Sequence, residues 1–330
     1  MMNILEEVRG CQTIGISGHI RPDGDCAGSC LGMALYLQKA MPGVRVDVFL
    51  ENLSDALTKN LAGAEKIRHD YVTEIEHYDA FLCLDCEKER LGDALDLFMK
   101  AGKKINIDHH RTNSGSGDVN YVLPTASSTC ELVYKNAKAE LCGDRKEEYL
   151  DERIARNLYI GMVTDTGVFM YSNTGRRTME IAGRLMEFGF DFSAIVREVF
   201  YEKTYVQQQI LGRALLESIR FLDGRCIVSM LDRKTMRFYQ ATSSDMDGIA
   251  SELVHTDGVC CAIFMYETEP MTYKVSLRST GEVDVSKLAV LYGGGGHARA
   301  AGCTCRASYH DIINNLSPHI EEQLNAGVHV

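Results

Sequence analysis

The sequence predicts an α/β fold, with an N-terminal, doubly wound, mostly parallel sheet joined by a helical linker to a smaller C-terminal α/β domain. Three observations support this prediction. Short apolar segments alternate with helical segments through the first half of the chain, which is typical of parallel sheets. The length of 330 residues is sufficient for two hydrophobic cores. A long helical segment, without glycine from 192 to 211, separates the two halves.

We expect a first domain over residues 1–190, a helical linker over 191–218 and a second domain over 219–330. In the first domain, apolar stretches bounded by turn residues predict strands at 13–18, 44–50, 80–84 and 104–107, and an extended segment at 169–172. Apolar residues at helical spacing predict helices at 26–39, 91–101, 151–164 and 178–188. In the second domain the same criteria predict strands at 226–231, 259–266 and 273–279, and helices at 247–255, 285–292 and 310–324.

The net charge of −11 constrains the binding partners. Proteins that hold long nucleic acids use a basic stripe, because neutralising phosphates supplies most of the affinity. No such run of Lys and Arg occurs in this sequence, so we expect no long duplex nucleic acid as a partner. Any phosphate ligand should be short and held by local positive charge, including metal ions.

No apolar run reaches membrane-spanning length, and the first residues lack the basic and apolar parts of a signal peptide. We therefore expect a cytoplasmic protein with no membrane partner. Its twelve cysteines are scattered, which favours reduced, mostly buried thiols over a disulfide framework. Cys83 and Cys86 form a C-x-x-C pair, but no second pair lies at zinc-site spacing, which gives little support for a zinc or redox role.

The triplet Asp108-His109-His110 directly follows the fourth predicted strand. In open α/β sheets, ligands bind at the carboxyl ends of the strands. Successive side chains point apart, so we expect His109 and His110 to have different roles, one as a metal ligand and the other facing a substrate. The alternative is a pair of exposed loop histidines.

Other acidic and imidazole side chains follow predicted strands or end a helix. His19, Asp23 and Asp25 follow the first strand on a turn, and they are natural ligands for a divalent ion. The alternative is that both carboxylates only shape the turn. Asp85 ends an apolar strand, where an unpaired carboxylate is costly to bury, although it could cap a following helix. Asp165 ends a predicted helix, where ordinary helix termination is the alternative.

A second specific signal is the run of four glycines from Gly293 to Gly296 that leads into His297. Glycine lets the backbone approach a ligand closely and present bare N–H groups to an anion. Arg278 and Arg299 could supply phosphate contacts. The alternatives are a flexible linker for the glycines and an ordinary surface position for Arg278. The candidate substrate-binding residues in this part of the chain are Arg278, Gly294, Gly295, Gly296, His297 and Arg299.

The chain resembles the DHH phosphoesterase superfamily, in its DHH/DHHA1 branch, on motifs that occur in the family's order. The triplet at 108–110 matches the one that names the family, and the run at 19–29 matches its first motif. Asp85 matches the second motif and Asp165 the fourth. The run at 293–302 resembles the glycine-rich substrate motif of DHHA1 domains. The resemblance implies that the two predicted domains are a DHH and a DHHA1 domain.

The resemblance further implies two Mn²⁺ ions as cofactors, with Mg²⁺ or Co²⁺ fitting the same ligands. The implied ligand sets are His19, Asp23 and Asp85 for one ion, and Asp25, Asp85, His109 and Asp165 for the other. Asp85 would bridge the ions, His110 would face the scissile phosphate, and Asp108 would orient a neighbouring histidine. Two such ions can share and activate a hydroxide that attacks phosphorus. Asp85, Asp108 and His110 are therefore the expected catalytic residues.

Within the branch, the chain is similar to bacterial oligoribonucleases that are also 3′-phosphoadenosine-5′-phosphate (pAp) phosphatases. This similarity implies hydrolysis of short single-stranded RNA, of dinucleotides such as pApA and of pAp to mononucleotides, and it suggests a homodimer. One alternative is a manganese inorganic pyrophosphatase, although the second domain of those enzymes lacks this Gly-His run. Another is a non-catalytic nucleotide sensor that kept the fold.

Overall fold

The computed structural model describes residues 2–139 and 149–327. The chain divides into two compact units between Glu202 and Lys203, a point inside the predicted linker at 191–218. The domain boundaries inferred from the sequence stay predictions, and residues 140–148 of the first predicted domain and 328–330 of the second lie outside the described residues. Each unit has its own sheet and its own core.

The first unit contains a five-stranded sheet in the order β2-β1-β3-β4-β5. Its strands are β1 (Thr13–Ser17), β2 (Arg45–Phe49), β3 (Ala80–Leu84), β4 (Lys103–Asp108) and β5 (Val119–Val122). Every neighbouring pair of strands is parallel, which confirms the predicted parallel α/β fold. The carboxyl ends of all the strands therefore lie along one edge of the sheet.

Helices cover both faces of this sheet, because alternate residues of β3 belong to two different hydrophobic clusters. Leu82 and Leu84 join the larger cluster, whereas Phe81 and Cys83 pack in a second one with Phe98. The helices of the first unit are α1 (Ile4–Glu7), α2 (Gly24–Ala40), α3 (Asp55–Asn60), α4 (Leu95–Lys100), α5 (Thr129–Ala139), α6 (Glu152–Asp165), α7 (Arg176–Met186) and α8 (Phe192–Ile195). Helix α8 continues as a π-helical turn over Val196–Tyr201.

Glycines let α2 and α6 approach closely. A methyl group at Gly28 would lie 2.5 Å from the carbonyl oxygen of Asn157, and one at Gly24 would lie 2.3 Å from the hydroxyl of Thr164. Any larger side chain at these positions would push the helices apart, since protein cores are close-packed. The contact brings the start of α2, with Asp25, next to the end of α6, with Asp165.

The second unit contains a six-stranded mixed sheet in the order β10-β11-β9-β8-β7-β6. Its strands are β6 (Ile219–Phe221), β7 (Cys226–Leu231), β8 (Cys261–Glu269), β9 (Thr272–Ser279), β10 (Gly295–His297) and β11 (Ala300–Arg306). Its helices are α9 (Tyr205–Leu216), α10 (Arg233–Phe238), α11 (Ile249–Val254), α12 (Val285–Val290) and α13 (Tyr309–Ala326). Ile263 and Phe264 belong to different clusters, so β8 is covered on both faces. Within the described ranges, no helix combines the length and apolarity needed to cross a membrane.

The prediction of an extended segment at 169–172 was wrong. The chain reverses directly after α6, where Val168 and Phe169 have φ of 56° and 64° and the amide of Tyr171 donates to the Thr166 carbonyl. This turn overrides the strand propensity of aromatic and β-branched side chains. The strands β5, β6 and β10 were not predicted, because three or four residues are too few for an alternating pattern.

Gly28→Ala tests the close contact between α2 and α6. We expect the variant to lower the free energy of unfolding by about 1–3 kcal/mol, because an added methyl group overpacks the core; urea denaturation measures this change. The matched control is Gly183→Ala in α7, where a methyl group meets nothing within 4 Å. It should stabilise the protein by up to about 1 kcal/mol, since alanine favours helix over glycine. Equal effects of the two substitutions would contradict the close contact.

Candidate metal centre and substrate surface

The candidate metal ligands of the first unit lie at the carboxyl edge of its sheet, where ligands bind in open α/β folds. His19 follows β1 by two residues, Asp85 follows β3 directly, and Asp108 is the last residue of β4. Because β1, β3 and β4 are neighbouring parallel strands, these side chains meet at one place. The ends of α2 and α6 add Asp25 and Asp165 to the same group.

His19 faces two carboxylates with one of its ring nitrogens. Its Nδ1 donates to the carbonyl of Ile20 at 2.9 Å, so Nε2 is the nitrogen directed at the centre. Nε2 lies 3.5 Å from Oδ2 of Asp85 and 3.7 Å from Oδ1 of Asp23. Burial opposes a charge on His19, but these two carboxylates outweigh it and raise the pKa of the imidazole.

His109 lies among three further carboxylates. Its Nε2 is 3.6 Å from Oδ1 of Asp85, 3.7 Å from Oδ2 of Asp165 and 3.9 Å from Oδ2 of Asp25. The Nε2 atom is buried and has no hydrogen-bond partner in the part of the chain that the structure describes. These distances are too long for hydrogen bonds but fit a shared cation about 2.0–2.2 Å from each ligand atom. The residues present therefore fit a metal ion.

Asp85 lies close to both His19 and His109. Its Oδ2 faces His19 and its Oδ1 faces His109, and Oδ1 also accepts a hydrogen bond from the Thr129 hydroxyl at 2.9 Å. The residue is 2% exposed and has a φ of 61°, an uncommon backbone conformation for a non-glycine residue that often marks functional sites. Asp85 is therefore the side chain whose two oxygens can serve two neighbouring cations.

The carboxylates of this centre lie close enough to raise the pKa values of one another. Burial and then the negative charge of Asp25 raise the pKa of Asp85 well above its ordinary range. Burial and the charges of Asp25 and Asp23 also raise the pKa of Asp165 to about 8. Such shifts mean that the site favours bound protons or cations over free carboxylates. Raised pKa values of clustered acids are typical of functional sites.

Asp25 is stabilised by the amino terminus of α5. Its Oδ2 accepts the amide of Thr129 at 2.6 Å and its Oδ1 the amide of Cys130 at 2.9 Å, where the helix dipole also favours negative charge. Asp23 caps α2 by accepting the amides of Asp25 and Cys26 at 3.0 Å. Asp23 therefore shapes the turn, and the same Oδ1 atom also lies near His19.

Asp108 has a different environment from Asp85, because hydrogen-bond donors surround it. It accepts the amides of His109 and His110, the side-chain amide of Asn113, and Nδ1 of His110 at 2.7 Å. Burial opposes its charge, but the hydrogen bonds from His110 and Asn113 outweigh this effect and lower the pKa of the carboxyl. Asp108 thus fixes the ring of His110, whose other nitrogen remains available in a partly exposed position.

Three side chains that hydrogen-bond to aspartates of the centre were not predicted as site residues. Thr129 binds Asp85 and Asn113 binds Asp108, while Asn173 donates to the side chain of Asp165 at 3.2 Å. Asn113 also binds Asn106, whose side chain is buried within β4. The isolated polar Asn106 in an apolar strand was a signal for this network, because buried polar groups need partners.

The candidate substrate residues lie in the second unit. Cross-strand pairing places His297, Ala300 and Arg278 in one row across β10, β11 and β9, so their side chains share one face of the sheet. The opposite face packs on the core through Leu277 and Ala301. His297 is exposed and Arg278 partly exposed, and Arg278 donates from its Nε to the Ser251 hydroxyl at 3.3 Å.

The glycine run partly forms a β-hairpin, with Arg299 in its exposed turn. A methyl group at Gly294 would lie 2.2 Å from the Gly302 carbonyl oxygen, and one at Gly296 would lie 2.5 Å from that of Ala300. These two glycines are therefore required for strand pairing. Methyl groups at Gly293 and at Gly295 would meet nothing within 4 Å, so the backbone at these two glycines is open to a ligand.

Comparisons with known proteins agree with this architecture. The sequence profile of the DHH family, N-terminal domain, matches residues 13–162, and that of the DHHA1 domain matches residues 223–326. A relative from Bacillus subtilis strain 168, named bifunctional oligoribonuclease and PAP phosphatase NrnA, is 27% identical over 297 residues, which cover 88% of this chain and 89% of the relative.

Two solved structures share the fold. An exopolyphosphatase-related protein from Bacteroides fragilis has a TM-score of 0.88 at 25% identity, covering 98% of this chain and 96% of that chain. The exonuclease RecJ bound to manganese has a TM-score of 0.50 at 16% identity, and the match covers 98% of this chain and 92% of that chain.

The two domain profiles match this chain in the same order and at the same positions as the two sheets described above. They show that this chain belongs to the DHH/DHHA1 family of phosphoesterases.

Proposed function

We propose that this protein is a metal-dependent phosphoesterase that hydrolyses short oligoribonucleotides, dinucleotides such as pApA, and pAp to mononucleotides. The observation that carries the proposal is the buried Nε2 of His109, which lies among Asp25, Asp85 and Asp165 without a hydrogen-bond partner in the described residues. An imidazole nitrogen surrounded by carboxylate oxygens is a ligand set for a divalent ion.

The distances from His19 and His109 to the surrounding carboxylates support two ligand sets. His19, Asp23 and Asp85 would hold one ion, and Asp25, Asp85, His109 and Asp165 would hold the other. We propose Mn²⁺ as the ion, in line with the manganese-bound relative, although Mg²⁺ and Co²⁺ accept the same ligands. When bound, such ions lower the pKa of water and offset the negative charge of a phosphate ester.

The chain's own side chains would position the substrate. His110, whose ring is fixed by its hydrogen bond to Asp108, would direct its free ring nitrogen at the scissile phosphate. Thr129 would keep Asp85 in place through its hydroxyl. In the second unit, Arg278, His297 and Arg299 would bind phosphate oxygens. Gly295 would let the backbone approach the ligand closely, and Gly294 and Gly296 would hold the hairpin that presents it.

The preference for short substrates rests on charge. The chain carries a net charge of −11 and no basic run along which a long phosphate backbone could bind. The relative from Bacillus subtilis carries a name that specifies oligoribonuclease and PAP phosphatase activities, and both of those substrates are short.

Asp85→Asn tests the proposed centre most directly. We expect at least a roughly hundredfold fall in kcat on pApA and pAp with Mn²⁺ present, because the variant removes the charge shared by both ligand sets. Release of mononucleotides, measured by chromatography, gives the rate. The control Asp55→Asn changes an exposed carboxylate of the same unit and should keep full activity.

Two results with the wild-type protein would contradict the proposal. Cleavage of pyrophosphate but of neither nucleotide would indicate a pyrophosphatase, and nucleotide binding without hydrolysis would indicate a sensor.

Isothermal titration calorimetry with Mn²⁺ tests the two ligand sets separately. We expect two ions per chain in the wild type and one in His109→Ala, because His109 belongs to only one set. Thermal denaturation of the metal-free proteins checks that the variant folds. Two ions of unchanged affinity in His109→Ala would contradict the assignment of this histidine.

Arg278→Ala tests the substrate surface of the second unit. We expect a rise in KM for pAp of roughly tenfold with a small change in kcat, because a charge-assisted hydrogen bond to phosphate contributes to binding. Arg306→Ala, at the exposed end of β11, is the matched control and should leave KM unchanged. A fall in kcat at constant KM would show that Arg278 acts in another way.

A further inference from the structure

One thiol lies within the candidate metal centre. Cys26, in the first turn of α2, is fully buried, and its Sγ lies within 4.8 Å of a ring nitrogen of His19 and a carboxylate oxygen of Asp85. Gly18 provides the space for this sulfur, because a methyl group at Gly18 would lie 2.3 Å from it. The sulfur is thus held beside two of the proposed ligands of the first ion.

The neighbouring thiols do not share this position. Cys30, one turn further along α2, contacts the Cys26 thiol. The Cys26 and Cys130 thiols each face a backbone carbonyl, that of His19 at 3.9 Å and that of Asp25 at 3.6 Å, so the difference lies in their side-chain neighbours. In the described part of the chain, no other cysteine belongs to a group of three or more side chains whose ligand atoms lie close enough to share an ion. Cys26 is therefore the cysteine whose position suits metal binding.

A sulfur atom changes the metal preference of the part of the centre formed by His19, Cys26 and Asp85. Carboxylate oxygens prefer hard ions such as Mn²⁺ and Mg²⁺, whereas a thiolate selects softer ions such as Zn²⁺. The other half, formed by Asp25, His109 and Asp165 around the shared Asp85, offers only oxygen and nitrogen atoms. The two halves thus differ in their preference for metals.

We propose that Cys26 is a metal ligand, and that with His19 and Asp85 it forms a site for a borderline-soft divalent cation such as Zn²⁺. The inference rests on the proposed metal centre and specifies which ion one half of it prefers. On binding, the sulfur forms a bond to the ion and the thiol proton is released to solvent. A mixed centre follows, with a softer ion at Cys26 and a harder ion at His109.

Electronic absorption spectra of the metal-free protein titrated with Co²⁺ test the proposal. Weak visible bands report Co²⁺ bound by the centre, and a strong near-ultraviolet band reports charge transfer from a thiolate to cobalt. We expect both kinds of band in the wild type. Cys26→Ser should lose the near-ultraviolet band and keep the visible ones, whereas the control Cys30→Ser should keep both.

Competition between Zn²⁺ and Mn²⁺ gives a second measurement. We expect Cys26→Ser to lower the affinity for Zn²⁺ roughly tenfold or more relative to that for Mn²⁺, because oxygen replaces sulfur as a ligand. Cys26→Ala serves in its place if the serine variant does not fold, as judged by circular dichroism. An unchanged ratio of affinities would count against sulfur ligation.

The outcomes separate this proposal from the one on which it rests. Visible bands without the near-ultraviolet band in the wild type would overturn the role of Cys26 and leave the metal centre intact. A near-ultraviolet band that persists in Cys26→Ser would also overturn it, since another thiol would then be the ligand. No Co²⁺ bands at all would overturn both the metal centre and the thiol ligand.

Discussion

Repulsion among closely spaced carboxylates around one imidazole nitrogen is the constraint on which the metal centre of the first unit depends. Asp25, Asp85 and Asp165 each place an oxygen within 3.9 Å of Nε2 of His109. Like charges about 4 Å apart repel by about 4 kcal/mol in surroundings of intermediate polarity, so protons or cations must compensate them. The parallel strands, the amino terminus of α5 and the close packing of α2 on α6 hold these groups together against that repulsion. Such a group of closely spaced carboxylates and an imidazole is a candidate metal-binding cluster.

Two aspartates on neighbouring strands show how surroundings assign roles. Burial and then the negative charge of neighbouring aspartates raise the pKa of Asp85, which has few hydrogen-bond donors around it. Asp108 receives hydrogen bonds from His110 and Asn113, which lower its pKa despite burial. The same side chain is therefore suited to cations in one place and to fixing a histidine in the other. The opposite pKa shifts of the two aspartates arise because Asp108 is hydrogen-bonded to His110 and Asn113 in the loop that follows β4.

The sequence predicted the positions at the ends of β1, β3 and β4, because apolar strands followed by acids and histidines are a local pattern. Asp165 was identified as a site residue through motif order, since an aspartate that ends a helix is not distinctive by itself. The partnership of Thr129 with Asp85 spans 44 residues and exists only in the folded chain. Likewise, the close approach of α2 and α6 and the turn at Phe169 depend on tertiary packing that no local pattern encodes.

The hairpin of β10 and β11 contains two kinds of glycine, and the difference bears on how this protein can diversify. Gly294 and Gly296 are fixed by backbone contacts, but Gly295 is not. Gly295 lies two residues before His297 on the same strand, so its missing side chain would project from the same exposed face. Evolution can therefore add bulk or charge at position 295 without disturbing strand pairing. A substitution at position 295 can change which ligands bind while the fold stays the same.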